Sequence, residues 1–483
     1  MSRLQAAWAA GALSCVCATA CVPGGGWQGV PQIAPEKLAA SGTLSPAHID
    51  AAAWPTEQWW AAYQDLQLNS LMQEALAGSP SLQSAQARLQ AAQARALQAS
   101  GARLPATTLA AELRRQRYSQ NGLYPPPFAG HVFTDGELAL NFSYDIDFWG
   151  RNRDILQAAR ADVRAAEADR AAARLALTVA LARAYFQLDL QFALLDVAQA
   201  SLEQQNTILT LTRQRASSGL ENAARVSQSE ASAALTQAGV QYTQSQIKML
   251  RAQLGDLVGA GPDRGATLDR PHLQGPQQLA LPSALPAELL GRRPDVTAQR
   301  WRVEGAARGI AAAEADFYPN VNLAAFAGFQ SIGLSKLLDA ASAVAGAGPA
   351  LSLPIFNRRQ LRGALASRQA QYDQSVAQYN QTLIDAVNEV ADVVTNWEAL
   401  MKESDAARVA EEAAQRAYGT TRERYRAGLD NYLSVLSAQN ELFLTQTVRA
   451  QLLARGLSLT ADLVEALGGG YLGQAPTQTL IGN

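Results

Sequence analysis

Beyond residue 21 the chain has no cysteine: Cys15, Cys17 and Cys21 are all it contains. If the chain matures at Cys21, disulfides and thiol catalysis are excluded. Histidine is nearly as scarce. His48, His131 and His272 lie far apart, and none has a Cys, Asp or Glu at metal-ligand spacing. That argues against a metal site and against histidine-based catalysis. The formal net charge is only −2 over 483 residues, so no broad basic surface exists for nucleic acid. No glycine-rich phosphate loop joins a strand to a helix, and no nucleophile–His–acid set is visible, so an enzyme is not expected. Past the opening stretch, no segment offers 18 or more uninterrupted apolar residues. A mature chain that crosses a membrane does so as a β-barrel.

What is present begins with a leader. MSRLQAAWAAGALSCVCATAC carries Arg3, an apolar run and then small residues. This reads as a secretory signal over 1–20, too short for a spanning helix. Ala18-Thr19-Ala20-Cys21 is similar to a bacterial lipobox, in which the cysteine becomes the lipidated first residue. Cys21 is the expected lipidation site and Cys15, after Ala-Leu-Ser, the competing one. An ordinary signal with incidental cysteines is the remaining alternative. Residues 21–58 then form a lipid-anchored N-terminal segment, and the covalent lipid is the only non-protein group expected.

The rest of the chain is one unit written twice. Thr212-Arg-Gln-Arg-Ala-Ser-Ser-Gly-Leu-Glu-Asn222 reappears from 421 as Thr-Arg-Glu-Arg-Tyr-Arg-Ala-Gly-Leu-Asp-Asn431, 209 residues on (212 to 421). Pro80, Arg88, Pro105 and Leu109-Ala-Ala match Pro294, Arg302, Pro319 and Leu323-Ala-Ala at an offset of 214 (80 to 294) without a gap. A repeat this long is no solenoid; it implies a pseudo-twofold protomer. The first repeat is assigned to 59–258, a connector to 259–286, the second repeat to 287–467 and a tail to 468–483.

Each copy reads as helix, two strands, a very long helix, a turn and a returning helix. Strands are expected near 104–118, 131–148, 319–331 and 343–356. In Glu137–Phe148 the residues Leu138, Leu140, Phe142, Tyr144, Ile146 and Phe148 share one face. Glu137, Ala139, Asn141, Ser143, Asp145 and Asp147 share the other, an alternation that suits a membrane barrel or a half-buried soluble strand equally. Phe148, Trp149, Phe317, Tyr318 and Phe356 cluster at the strand ends, as an interfacial girdle does. Four strands cannot close a barrel, which needs at least about eight, whereas three copies supply twelve. Between Gly150 and Ser218 there is neither Gly nor Pro, and such a helix spans roughly 100 Å. The helix returning from Leu220 covers about half that length. A spectrin-like rod is the alternative to a tunnel, and the inserted strands argue against it.

Several motifs together resemble the TolC-type outer-membrane efflux factors, in the OprM/NodT lipoprotein branch. They are Trp59-Trp60-x-x-Tyr63-x-Asp65, Tyr144-Asp-Ile-Asp-Phe-Trp-Gly-Arg151, Leu289-Leu-Gly-Arg-Arg-Pro-Asp-Val296, Phe317-Tyr-Pro319, Ser352-Leu-Pro-Ile-Phe356 and Arg424-Tyr425-x-x-Gly428-Leu429. The resemblance implies an α+β membrane protein: a trimeric 12-stranded β-barrel in the outer membrane, continuous with a 12-helix periplasmic α-barrel and an equatorial belt. It implies a passive exit duct for drugs or other small toxic compounds. The partners it implies are two more copies of the chain, a periplasmic adaptor, an inner-membrane pump and outer-membrane lipid. A proton-driven multidrug pump and an aromatic-acid exporter both stay open as the energy source.

The two turns, at 218–221 and 427–430, are expected to dock the adaptor. Gly219 and Gly428 permit the reversal and Leu220 and Leu429 stand exposed beside them. The resemblance places Tyr425 in a closing network at the mouth. At the two places where relatives carry an acid and a base, this chain has Arg225 and Asp430, with the charges exchanged. An Arg225–Asp430 pair is the expected gate. Ser434 and Ser437 stand where some relatives carry an acidic ring, which argues against a strong cation preference at the entrance.

Overall fold

The computed structural model describes residues 27–34, 50–51, 54–274, 280–281 and 291–473. The leader, Cys15, Cys21, part of the 259–286 connector and residues 474–483 lie outside the described residues. Seven helices and four strands carry the fold: α1 (Leu66–Gly78), α2 (Pro80–Gly101), β1 (Ala106–Arg117), β2 (Val132–Ile146), α3 (Arg151–Ser217), α4 (Ala223–Leu257), α5 (Pro294–Ala315), β3 (Asn320–Ile332), β4 (Ala343–Ser352), α6 (Arg358–Arg426) and α7 (Tyr432–Ala466). The internal repeat is visible in their lengths. α3 and α6 have 67 and 69 residues, and α4 and α7 have 35 each. The helical stretch ahead of the first strand is divided. A 3₁₀ turn at Trp59–Tyr63 precedes α1, and α1 ends before Pro80. Proline cannot continue a preceding helix but suits the first position of a new one.

The chain forms two compact units. Of the described residues, one comprises those of 27–32, 89–166 and 299–379; the other comprises those of 33–88, 167–298 and 380–473. The first unit holds the sheet, antiparallel throughout, in the order β1-β2-β3-β4. Its register sorts the side chains. Leu109, Leu140, Ala327 and Ala345 stand in one cross-strand row, and Thr107, Phe142, Ala325 and Ala347 in the next. The opposite face carries rows such as Glu112, Glu137 and Gln330, or Asp145 and Asn322. One face is therefore mainly apolar across all four strands; the other carries most of the charged and amide side chains of β1, β2 and β3, with Ala, Gly, Phe326 and Val344 among them. β1 and β4 are edges, each with ten or more residues whose outer backbone groups have no strand beside them among the described residues.

Where β2 meets α3, Asp147 accepts hydrogen bonds from the backbone N–H of Asn152 (3.1 Å) and of Arg153 (2.8 Å), which caps the helix. Asp145 accepts from Asn152 Nδ2 at 3.2 Å. Trp149 stacks on Tyr318 with centroids 4.4 Å apart and donates Nε1–H to the Pro319 carbonyl at 2.9 Å. Phe148 and Phe356 stay exposed. These contacts explain why the aspartates and aromatics of that motif keep company.

The second unit is held by helix packing. Its largest cluster gathers Trp59, Trp60, Tyr63, Leu71, Tyr185 and Phe186. Asp65 is the polar hub beneath it. Its carboxylate caps α1 through Leu68 N (2.9 Å) and accepts from the Tyr185 hydroxyl (3.0 Å) and from His272 N (2.8 Å). The Trp-Trp-x-x-Tyr-x-Asp motif is therefore a packing and capping device: Tyr63 closes it with a 2.6 Å hydroxyl contact to Thr460. Arg293 is buried where α5 begins. It reaches Asp295 (2.6 Å), Glu389 of α6 (2.5 Å) and the Ala466 carbonyl at the end of α7 (3.3 Å).

Candidate functional site: the paired helix turns

Both turns that join a long helix to its returning partner have the same construction. After α3, Leu220 N–H donates to the Arg215 carbonyl (2.9 Å) and Gly219 N–H to that of Ala216 (3.0 Å). After α6, Leu429 N–H donates to Arg424 (2.8 Å) and Gly428 N–H to Tyr425 (3.0 Å). This six-to-one and five-to-two pair is a Schellman stop. It needs a left-handed residue, and Gly219 and Gly428 have φ of 75° and 73°. Asn222 and Asn431 then cap the outgoing helices, accepting from Arg225 N (3.0 Å) and Ser434 N (3.1 Å). The repeated Gly-Leu-acid-Asn is thus a stop signal followed at once by a start signal.

The acids are staples across each turn. Glu221 meets Arg215 at 3.6 Å and Asp430 meets Arg424 at 3.4 Å. Arg215 and Arg424 occupy equivalent places in the two copies, so the match was already in the sequence, although its purpose was not. Hydrogen bonding from Ser434, the Asn431 N–H and Arg424 holds the Asp430 carboxyl below its ordinary range. Its charge is therefore complete at neutral pH and is lost only as pH falls past that lowered value.

The structure does not bring Arg225 and Asp430 together within the chain. Arg225 donates to Gln228 at 3.0 Å, whereas Asp430 is engaged by Arg424. Each finds its partner on its own hairpin: Gln228 lies one helical turn beyond Arg225, and the Schellman reversal folds Asp430 back onto Arg424. Tyr425 lies inside the protomer, 1% exposed, among Ile208, Tyr418, Tyr432, Val435 and Leu442. Its hydroxyl approaches Thr212 Oγ1 at 3.4 Å and Arg215 lies over its ring at 5.0 Å. One hairpin is thereby pinned to the other. Thr212 and Tyr432 were missed from sequence. Thr212 was signalled by its match to Thr421; Tyr432 was not, since Ala223 stands opposite it.

Leu220 and Leu429 remain 66% and 68% exposed. In a Schellman stop the residue at this place often packs on the side chain five residues earlier. Here that residue is an arginine in both copies, so the leucines have no apolar contact of that kind.

A variant separates backbone from packing. No heavy atom lies within 4 Å of a Cβ built at Gly428. Gly428→Ala is expected to cost about 1–2 kcal/mol through the left-handed φ alone, and Gly428→Asn clearly less, as measured by denaturation midpoints of the purified protein.

Comparison with known proteins decides the family. Residues 71–260 and 285–469 match the family described as Outer membrane efflux protein. The chain is an outer membrane efflux protein. Fusaric acid resistance protein FusA of Burkholderia cepacia is 38% identical over 69% of this chain and 63% of its own length. Multidrug resistance outer membrane protein MdtQ of Escherichia coli is 31% identical over 90% of this chain and 94% of its own. The crystal structure of the outer membrane protein VceC from Vibrio cholerae superposes with a TM-score of 0.81 at 41% identity, covering 86% of this chain and all of that one. The efflux protein therefore has the fold class expected from its sequence, the α+β protomer of a trimeric outer-membrane channel. It is a channel and not an enzyme, and it belongs in the outer membrane. Among the described residues no helix is long and apolar enough to cross a membrane, and no three His, Cys, Asp or Glu are grouped to hold a metal.

Proposed function

We propose that the efflux protein is the passive exit duct of a tripartite system, carrying drugs or other small toxic compounds to the exterior. The observation that carries this reading is the two-faced sheet with two open edges. In hydrocarbon every backbone polar group must be satisfied, so an edge strand cannot stand alone there. Pairing β4 of one copy with β1 of the next closes twelve strands in a homotrimer, with the apolar face toward lipid and the polar face toward the lumen. The sequence carries no glycine-rich phosphate loop, and energy comes from an inner-membrane pump through a periplasmic adaptor. Gly219, Leu220, Gly428 and Leu429 form the docking tips. A lipid on Cys21, or on Cys15, anchors the chain.

The gate lies at the same mouth. Since Arg225 and Asp430 have local partners within the chain, the pair that shuts the pore forms between subunits. An exposed ion pair such as Arg424–Asp430 holds its members only weakly, so Asp430 can exchange one arginine for another. Tyr425, buried against Thr212, keeps the two hairpins moving together.

Purified trimers in planar bilayers test the reading. Ion conductance that rises in Asp430→Ala supports duct and gate. A trimer that conducts nothing in either form identifies a structural coiled-coil lipoprotein instead, and an unchanged closed-state conductance removes Asp430 from the gate.

A further inference from the structure

Between α2, α3, α5 and α6, within the first unit, lies a groove of about 880 Å³. One stripe from each helix faces it. Four arginines, Arg95, Arg151, Arg302 and Arg368, line it against two acids, Asp162 and Asp316. Arg151 meets Asp316 at 2.5 Å and that pair is neutral. Asp162 is within electrostatic reach of both Arg95 and Arg302, one carboxylate between two guanidiniums. Arg368 donates to the amide oxygen of Gln371 at 3.0 Å, which brings no charge. Four positive against two negative leaves the groove at +2 per chain, in a protein whose whole formal charge is −2.

The side of the wall on which this groove opens is set by two contacts. Residues 27–30 lie along α6: Trp27 Nε1–H and Val30 N–H both donate to Asp373, at 3.0 and 2.9 Å. Asp373 is two residues from both Gln371 and Ser375, about 200° around the helix from each. The N-terminal segment thus occupies the face of α6 turned away from the groove. On α3, Arg151 donates Nη1–H to Asn152 Oδ1 at 3.2 Å, and Asn152 Nδ2 donates in turn to Asp145 on the polar face of the sheet. The groove therefore continues the polar face.

We propose that this groove is an anion-binding band of the channel lumen, a staging site for cargo that carries a carboxylate or another small acidic group. The assignment to the lumen rests on the duct reading. Small residues, Gly305 and Gly309 among them, leave the arginines room to meet a ligand. Planar guanidinium forks bind carboxylates bidentately, and a ring of like charge at a channel wall sets its ion preference. Three protomers bring +6 to one level of the tunnel.

The test uses full-length trimers and two readouts. In bilayers under a potassium chloride gradient, the reversal potential gives the chloride-to-potassium permeability ratio. Arg95→Gln combined with Arg368→Gln is expected to lower that ratio about threefold or more, and Arg368→Lys to keep it. A trimer that conducts with the same ratio in all three forms overturns the band and leaves the duct standing. A trimer that does not conduct fails the duct reading. Calorimetric titration with benzoate then decides the band alone: weaker binding in the double glutamine variant supports it, and identical binding overturns it.

Discussion

Replacing Leu220 and Leu429 together by aspartate is expected to abolish docking of the proposed periplasmic adaptor, while the trimer still assembles. Both leucines are about two-thirds exposed and neither supports the turn. The Schellman hydrogen bonds use backbone atoms, and the asparagine caps lie two residues further on. The folded state therefore has little to lose. A docked adaptor, however, would bury them, and a central apolar anchor is worth about 2 kcal/mol or more when removed. Two such losses approach about 4 kcal/mol, close to three orders of magnitude in affinity. Aspartate adds the desolvation of a charge. Adaptor binding by purified trimers and drug susceptibility of a strain lacking the native gene are the measurements. Unchanged susceptibility would show that the tips do not dock through these side chains.

Arg293→Ala is the second large effect, and it acts on stability. The guanidinium is 7% exposed and joins three helices at once: Asp295 in the first turn of α5, Glu389 in α6 and the Ala466 carbonyl closing α7. Breaking a buried ion pair from one side costs about 3–5 kcal/mol, because the abandoned charge stays buried. Here the carboxylates are 38% and 51% exposed, so water re-solvates them and the lower end, about 3 kcal/mol, is expected. Arg293→Met keeps the apolar stem and its packing. It should recover about 1 kcal/mol, the scale of a buried methylene. Denaturation midpoints of the detergent-solubilised protein measure both. Equal midpoints for Arg293→Ala and the native protein would show that the junction is held by packing alone.

Much of this was written locally. Alternation along Glu137–Ile146 fixes which side chains share a face, since successive residues of a strand point opposite ways. The uninterrupted run after Gly150 gives a long helix for the equally local reason that nothing in it stops one. The duplicated turn located both tips, because a positive-φ glycine followed by a capping asparagine acts within a few residues. The offsets between the copies exposed the repeat.

Which distant groups meet was not legible. α3 and α6 are rich in alanine, arginine and glutamine, and many registers of such helices look alike in sequence. Only packing decided that Arg293 would reach Glu389 and Ala466, and that Tyr425 would sit beside Thr212. Four arginines scattered from Arg95 to Arg368 form one charged groove only once four helices are laid side by side. The sequence determined the elements, their faces and their turns, which depend on neighbours a few residues away. Tertiary structure decided the charge partners, because long side chains on facing helices choose among several near-equivalent partners by position in space.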